Sequence, residues 1–338
     1  MNLAEEKYYK YALVREMMDT IDVVRNFNSE QTKDVAQKIK SVGRLLLTGE
    51  GSSRIFPAKN AIRKALGMGL DLCITTEASR QASQYDLSKF AIFCASNSGR
   101  TKEVVLLAKK QAECGNNLRF ALSANKGTLL EKVCAETFIL TCGLEQAVAA
   151  TKSVIEQALF YESILGHIAH NNDTKIYSGL AEKIETALTL PIDASIIEKA
   201  IKAPTIYFAG YHDGVAEELT LKTNEITRKK SDFLEGTYAV HGIEEVMEEN
   251  DIVFVIDPID DEIEKFQDVL VNGVGLHVVA IASRGTPFTT ILVPDAGEMN
   301  PYVYLSAGWN LLVEIGLALN IDLDKPERAR KIGNELIE

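Results

Sequence analysis

The sequence lacks any long run of basic side chains. Its 338 residues contain 36 Lys and Arg against 48 Asp and Glu, which gives a formal net charge of −12. The densest basic run, residues 228–230, is too short for the stripe that a duplex-binding surface usually carries. Nucleic acid is therefore not expected as a partner. A local anion site remains compatible with the acidity, because backbone N–H groups and helix dipoles bind anions without basic side chains.

Long hydrophobic runs and cysteine pairs with metal-ligand spacing are also missing. No segment approaches the roughly 18 apolar residues of a membrane span, and the start of the chain is charged. No C-x-x-C pair occurs among the five cysteines, which all lie in the first half of the chain: Cys73, Cys94, Cys114, Cys134 and Cys142. We therefore expect buried free thiols, no metal site, no membrane partner and a cytoplasmic protein.

What is present is an alternation of apolar strand-like runs with helical patterns. Residues 3–42 show helical spacing with no breaker. Strand-like runs follow at 44–49, 70–77, 90–96, 118–124 and 137–142, and helical patterns at 54–66, 101–114 and 151–170. Apolar strands separated by helices predict an α/β fold with a mainly parallel sheet covered on both faces, as in flavodoxin-like and Rossmann-like domains.

The second half of the chain repeats the order of the first. The corresponding pairs of segments are 44–49 with 205–210, 90–96 with 251–257, 118–128 with 277–286, 136–143 with 289–297, and 151–170 with 302–320. This repeat predicts a tandem duplication of a three-layer α/β/α domain. The predicted boundaries are N-terminal helices at 1–42, a first domain at 43–172, a helical linker at 173–203, a second domain at 204–322 and a tail at 323–338.

Small polar residues follow two strands of the first half, where each strand ends. The stretches are 49-GEGSSR-54 and 96-SNSGRT-101, and a helical pattern follows each of them. Hydroxyls, an amide and a glycine at the N-terminus of a helix suit a phosphate group. A single serine at this position is often only a helix cap, but two such stretches favour an anion site. The equivalent segments 210–218 and 257–262 carry carboxylates, which would repel phosphate.

A row of charged residues lies on one face of the helix predicted at 213–230. Glu218, Lys222 and Glu225 are spaced to share that face. This row is either a solvated set of ion pairs or a buried carboxylate beside a lysine, which could move protons. Among the five histidines, His241 lies in a polar, glycine-containing turn and is the best candidate for a general acid or base, and His212 follows a strand end.

Taken together, these motifs resemble those of the sugar isomerase (SIS) domain family. The residues that carry the resemblance are GEGSS, SNSGRT, GLEQAVAATK, the pair Glu225 and His241, and DKPERARK near the C-terminus. The likeness spans nearly the whole chain and is greatest to members with two tandem domains, such as the isomerase half of the glutamine–fructose-6-phosphate aminotransferases. It implies a homodimer whose subunits share each active site, with no metal or organic cofactor.

The resemblance also implies a role for individual residues. The residues expected to bind the phosphate are Ser53, Ser96, Asn97, Ser98 and Thr101. Those expected around the sugar are Ser52, Glu145, Val148 and Glu218. The expected catalytic residues are Glu225, which moves a proton between C1 and C2, Lys222 beside it, His241 for ring opening, and Lys331 of the tail.

The sequence departs from the family pattern at several places. The stretch 236-GTYAVHGI-243 lacks the Glu, the basic residue and the Pro that usually surround the histidine, and Ala150 replaces a loop serine. A glutaminase domain is not expected, so glutamine is not expected as nitrogen donor.

The expected activity is that of an isomerase or deglycase for an amino-sugar or ketosamine 6-phosphate. The alternative is a non-catalytic regulatory protein that binds a sugar phosphate, which the altered histidine stretch keeps open.

Overall fold

The computed structural model describes residues 1–171, 175–330 and 333–336. The helices in these ranges are α1 (Glu6–Tyr9), α2 (Ala12–Arg25), α3 (Lys33–Val42), α4 (Ile55–Gly67), α5 (Ser79–Ala82), α6 (Lys102–Glu113), α7 (Leu129–Val133), α8 (Lys152–Ala169), α9 (Lys175–Thr189), α10 (Ala194–Lys202), α11 (Val215–Thr227), α12 (Ile263–Phe266), which continues as a π-helix (Gln267–Val274), and α13 (Asn300–Ala318). The strands are β1 (Arg44–Gly49), β2 (Cys73–Ala78), β3 (Ala91–Ala95), β4 (Arg119–Ser123), β5 (Glu136–Ile139), β6 (Thr205–Gly210), β7 (Lys230–Glu235), β8 (Ile252–Ile256), β9 (His277–Ala282) and β10 (Thr289–Leu292).

The chain forms two compact units. The first unit consists of residues 22–146, 150–178 and 328–338, and the second unit of residues 1–21, 147–149 and 179–327. Each unit contains one five-stranded sheet in which all strands run parallel. The α/β class predicted from the alternation of elements is therefore confirmed, whereas the predicted domain boundaries stay a prediction.

The sheet of the first unit has the strand order β2-β1-β3-β4-β5. The order reverses between β1 and β3, so the chain leaves their carboxyl ends in opposite directions and opens a crevice there. Phe93 lies at the centre of the core, with its ring 5.1 Å from that of Phe120 and 5.6 Å from that of Phe160. Aromatic pairs of this kind contribute about 0.5–1.5 kcal/mol each beyond their buried area.

The second unit repeats this topology with the strand order β7-β6-β8-β9-β10. The strand correspondence predicted from the sequence is thus seen in the order of the strands. Helix α11 packs against β6, β7 and α13. The approach of α11 to α13 is close, because a Cβ at Gly308 would lie 2.3 Å from a methyl carbon of Leu219. This packing encloses one face of α11 away from water.

The N-terminal helical region differs from the continuous pattern expected for residues 3–42. It is divided into α1, α2 and α3, with breaks between them. Asp324 caps the start of α2, since its carboxylate accepts hydrogen bonds from the N–H groups of Ala12 and Leu13, both at 2.8 Å. The side chain of Asn28 accepts from Glu30 N at 3.1 Å and starts a short 3-10 turn. Polar capping groups thus lie at both breaks, and one of these groups, Asp324, is far in sequence from the helix that it caps.

The cysteines also differ in part from the expectation of buried thiols. Cys94 and Cys142 are buried, but Cys73 and Cys114 are exposed. Cys73 begins β2, which is an edge strand with partly open faces, and Cys114 follows the last turn of α6. Within the described ranges, no three His, Cys, Asp or Glu side chains are grouped to hold a metal ion. No helix in the same ranges is long and apolar enough to cross a membrane.

Candidate active site

The Ser96–Thr101 loop connects β3 to α6 in the first unit. Ser96 is buried, and its Oγ lies 2.9 Å from Oγ1 of Thr101 and accepts a hydrogen bond from Gly99 N at 3.1 Å. The Oγ of Ser98 accepts from Arg100 N at 3.2 Å. The loop therefore folds its hydroxyl groups together at the N-terminus of α6, where the helix dipole favours an anion.

Gly99 permits the sharp turn of this loop. Its φ of 64° lies in the left-handed region, and a Cβ at this position would lie 2.5 Å from the side chain of Thr128. Both the backbone conformation and the close approach of Thr128 require glycine. The side chain of Thr128 in turn accepts from Glu131 N and caps α7.

The turn after β1 lies beside the same loop. Residues Gly51–Ser53 form one 3-10 turn before α4 begins at Ile55, one residue after the start of the helical pattern predicted at 54–66. Gly49 allows the two strand ends to approach, because a Cβ there would lie 2.9 Å from the carbonyl oxygen of Ala95. Ser52 is buried and Ser53 is partly exposed. The two polar stretches thus follow neighbouring parallel strands at the same edge of the first sheet.

Asn97 and Glu145, two further predicted site residues of the first unit, contact each other. Nδ2 of Asn97 donates to Oε2 of Glu145 at 2.8 Å. Glu145 is buried and also accepts from the backbone N–H of Thr151, at 2.7 Å. Val148, of the same loop, is partly exposed and belongs to the second unit.

The predicted row on α11 is a buried charge cluster in the second unit. The Nζ of Lys222 lies 3.1 Å from Oε1 of Glu218 and 2.8 Å from Oε2 of Glu225. The side chains of Lys222 and Glu218 are 0% exposed, whereas that of Glu225 is 25% exposed. The solvated row of ion pairs that the spacing alone allowed is therefore excluded for Glu218 and Lys222.

Lys222 stays charged in this cluster. Burial favours its neutral form, but attraction to Glu225 and Glu218 and the hydrogen bonds to both outweigh burial and raise its pKa above the ordinary value. One ammonium therefore faces two carboxylates. Of these two, Glu225 is the one with access to solvent.

His241 follows a 3-10 turn (Tyr238–Val240) after β7 and is exposed. Its Nε2 lies 3.4 Å from Nζ of Lys265 on α12. Sequence reasoning did not single out Lys265, since nothing in its local pattern links it to a turn so distant in the chain. His212 pairs its Nδ1 with Oε2 of Glu235 at 2.8 Å. Lys331, the predicted tail residue, lies outside the described residues.

In the second unit, the segment 257–262 corresponds to the Ser96–Thr101 loop, and an arginine pairs with its carboxylates. Arg284, at the end of β9, pairs with Asp257 and donates to Oδ1 of Asp260 at 2.8 Å. Both hydrogen bonds and both attractions raise the pKa of the guanidinium, so it stays charged. Two of the carboxylates predicted to repel phosphate, those of Asp257 and Asp260, are thus paired with an arginine.

A cavity of about 700 Å³ lies beside the Ser96–Thr101 loop. Its lining is polar and of mixed charge, and includes Glu50, Arg80, Lys102, Lys110 and Asn334. None of the predicted site residues that the structure describes lines it. The phosphate site predicted at the polar strand ends is therefore separate from this cavity, and it stays a prediction.

Comparison with known proteins agrees with this architecture. No protein-family model matches the chain. A glutamine–fructose-6-phosphate aminotransferase (isomerizing) of Neisseria meningitidis is 25% identical over an alignment of 331 positions, and this alignment covers 91% of this chain and 54% of that protein. The chain thus spans about half the length of the curated relatives that it matches.

Solved structures share the fold. The C-terminal domain of glucosamine-fructose-6-phosphate aminotransferase from Francisella tularensis has a TM-score of 0.77 at 16% identity, covering 95% of this chain and all (100%) of that one. Tagatose-6-phosphate ketose/aldose isomerase from Escherichia coli has a TM-score of 0.74 at 16% identity, covering 96% of this chain and 99% of that one. The chain has the fold of phosphosugar isomerases. The resemblance to the sugar isomerase family, and to the isomerase half of the aminotransferases, is confirmed.

Proposed function

We propose that the protein is a phosphosugar isomerase or deglycase that acts on an amino-sugar or ketosamine 6-phosphate. It would consist of two tandem sugar isomerase domains, each a three-layer α/β/α sandwich. The observation that carries the proposal is the cluster on α11, in which buried Lys222 holds Glu225 while that carboxylate keeps contact with solvent. Such a carboxylate suits proton transfer at a carbon beside a carbonyl or imine.

The reaction needs an open-chain sugar phosphate. In an isomerase, Glu225 takes a proton from one of the two carbons C1 and C2 and returns it to the other, through an enediol. In a deglycase, the same transfer moves a proton from C1 to C2 of a ketosamine, and the amine proton moves to the C2 oxygen. The C1 amine thereby becomes a C1 imine as the C2 carbonyl becomes a hydroxyl group. Water then hydrolyses this imine to the free amine and an aldose 6-phosphate. Lys222, with its positive charge, stabilises the negative charge that develops on the enediol oxygen.

The remaining predicted residues take the roles that the family resemblance implies. The phosphate would bind at Ser53 and at the Ser96–Thr101 loop, and Ser52 and Val148 would line the sugar. His241 would open the sugar ring in the site of a neighbouring subunit, so the protein would act as a homodimer. Lys331 would approach the sugar from the tail.

A panel of 6-phosphorylated compounds tests this proposal. The purified protein would be incubated with glucosamine 6-phosphate, fructose 6-phosphate with ammonia, and several fructosyl- and glucosyl-amino-acid 6-phosphates, and the released hexose 6-phosphate and amine would be measured by mass spectrometry. Turnover of one member identifies the substrate. Binding of a sugar phosphate without turnover of any member would instead support the regulatory alternative.

The substitution Glu225→Gln tests the assigned proton carrier. Because it removes the base but keeps the shape of the side chain, we expect turnover to fall at least about 100-fold while the substrate still binds. Glu217→Gln is the matched control, since Glu217 lies on the same helix but outside the row around Lys222. Retention of most activity by Glu225→Gln would show that another residue moves the proton.

A further inference from the structure

Five hydrogen-bond donors converge on the carboxylate of Glu145. Oε1 accepts from Thr151 N at 2.7 Å, from Thr151 Oγ1 at 3.2 Å and from Ser153 N at 3.4 Å. Oε2 accepts from Ser153 Oγ at 2.6 Å and from Asn97 Nδ2 at 2.8 Å. Five donors require a side chain with two acceptor oxygens, since the amide of a glutamine would point its own N–H groups at some of them.

The carboxylate of Glu145 joins two segments that are far apart in the sequence. Thr151 and Ser153 stand at the start of α8, where a negative charge is favourable because it opposes the helix dipole. Asn97 lies in the Ser96–Thr101 loop. The residue is only 7% exposed, so its hydrogen bonds form in a poorly solvated environment, where charge-assisted bonds are strong.

Asn97 is fixed at both its side chain and its backbone. Its backbone oxygen accepts from Asn125 Nδ2 at 2.7 Å and from Ser123 Oγ at 3.1 Å, while its side-chain amide donates to Glu145. Nδ2 of Asn97 donates to Oγ of Ser153 at 3.3 Å as well as to Glu145, so the amide cannot offer a hydrogen to a phosphate without giving up one of these two bonds. The hydroxyl groups of the loop are left for the ligand.

We infer that Glu145 is a positioning residue, which holds the Ser96–Thr101 loop in its phosphate-binding shape through Asn97 and does not itself contact the sugar. This inference rests on the proposed function, because it assumes that the loop binds the phosphate of the substrate. It assigns Glu145 to the phosphate end of the site and not to the residues around the sugar, among which the family resemblance places it.

The chain contains a matched control for this inference. Glu156 is 1% exposed, and its carboxylate accepts from Thr141 N, Thr141 Oγ1 and Cys142 N, each at 2.7 Å. It therefore resembles Glu145 in burial, in charge and in the number of hydrogen bonds that it accepts from backbone N–H groups. These bonds go to residues 141 and 142, and not to the Ser96–Thr101 loop.

The test is calorimetric titration of fructose 6-phosphate into the wild-type protein, Glu145→Gln and Glu156→Gln. Both variants should lose stability to a similar extent. Only Glu145→Gln should raise Kd, by about tenfold, which corresponds to the loss of one charge-assisted hydrogen bond. Turnover at saturating substrate should be retained, so that KM changes and kcat does not. An equal Kd for Glu145→Gln and wild type, or an equal loss in Glu156→Gln, would overturn the inference.

A double-mutant cycle with Asn97→Ala identifies the route of the effect. If Glu145 acts through Asn97, Glu145→Gln should change Kd by less than about twofold in the Asn97→Ala background. Full additivity would overturn the inference.

If Glu145→Gln does not fold, Asn97→Ala alone decides, because wild-type affinity in that variant would contradict the role given to the hydrogen bond between Asn97 and Glu145. A wild-type protein that binds none of the panel of sugar phosphates would overturn the proposed function itself.

Discussion

The Nζ of Lys222 lies 2.8 Å from Oε2 of Glu225, one turn further along α11, and the lysine side chain has no exposed surface. Glu218, one turn earlier, is equally buried and lies 3.1 Å from the same nitrogen. A buried charge is costly unless it is paired. The three residues therefore depend on one another for stability as well as for their proposed chemistry.

The first prediction concerns removal of the lysine from this cluster. Lys222→Met removes the cation that lies 3.1 Å from the buried carboxylate of Glu218, so we expect the free energy of unfolding to fall by about 3–5 kcal/mol. Urea unfolding followed by circular dichroism measures this loss. The double variant with Glu218→Gln also removes the buried negative charge that faced Lys222, so the loss should be smaller than for Lys222→Met alone. A larger loss in the double variant would contradict the argument.

The strands that the sequence defined best are those with both faces buried. Residues 44–49 and 205–210 were predicted as strands and form β1 and β6 with those bounds. Each is an inner strand of its sheet, so its side chains are apolar on both faces and its apolar run has clear ends. The charge row on α11 could also be predicted, because the spacing of its members depends only on the helical repeat.

Strand β7 and the contacts of the tail could not be predicted in this way. Residues 230–235 contain three charged side chains and form an edge strand, so they carry no apolar run. Leu336 N donates to Arg100 O and Lys102 N to Asn334 O, both at 3.0 Å, which places the tail beside the Ser96–Thr101 loop. Such pairings depend on the tertiary fold, and local sequence patterns do not contain them.

The second prediction concerns Lys265 and His241. An ammonium can only donate, so the Lys265 ammonium 3.4 Å from Nε2 favours, of the two tautomers of the imidazole, the one with its proton on Nδ1. Lys265→Met should therefore lower the fraction of this tautomer, measured by ¹⁵N NMR, and reduce kcat by about twofold, since exposed pairs contribute about 0.5 kcal/mol. Lys265→Arg should retain the tautomer. Glu264→Gln, on the same helix, is the control, and an equal change in that variant would refute the assignment.

The third prediction is a dependence of stability on pH. Burial raises the pKa of the Glu50 carboxyl, and the nearby Glu103 adds to this, although the hydrogen bond from Ser79 N and the charge of Arg54 oppose it. A folded-state pKa above the unfolded value means that Glu50 favours folding below about pH 4.5, the value of an ordinary glutamate. This contribution is lost as the pH rises through the folded-state pKa.

Glu50→Gln tests this directly, because glutamine keeps an acceptor for Ser79 N but cannot ionise. The free energy of unfolding of the variant minus that of wild type should therefore increase from pH 4 to pH 7. Denaturant unfolding at both pH values gives the two differences. If the stability difference between variant and wild type is the same at both, the ionisation of Glu50 does not oppose folding.

The last prediction separates the two reasons for glycine at position 99. Gly99 and Gly127 have similar φ angles, 64° and 67°, but a Cβ at Gly99 would meet Thr128 at 2.5 Å, whereas one at Gly127 would meet nothing within 4 Å. Gly127→Ala should therefore cost only the backbone term of about 1–2 kcal/mol. Gly99→Ala should cost about 1–3 kcal/mol more, because Thr128 must also move. It should also weaken binding of fructose 6-phosphate, because the displaced loop carries Ser98 and Thr101. Equal losses of stability and of affinity in the two variants would show that the contact with Thr128 does not shape the loop.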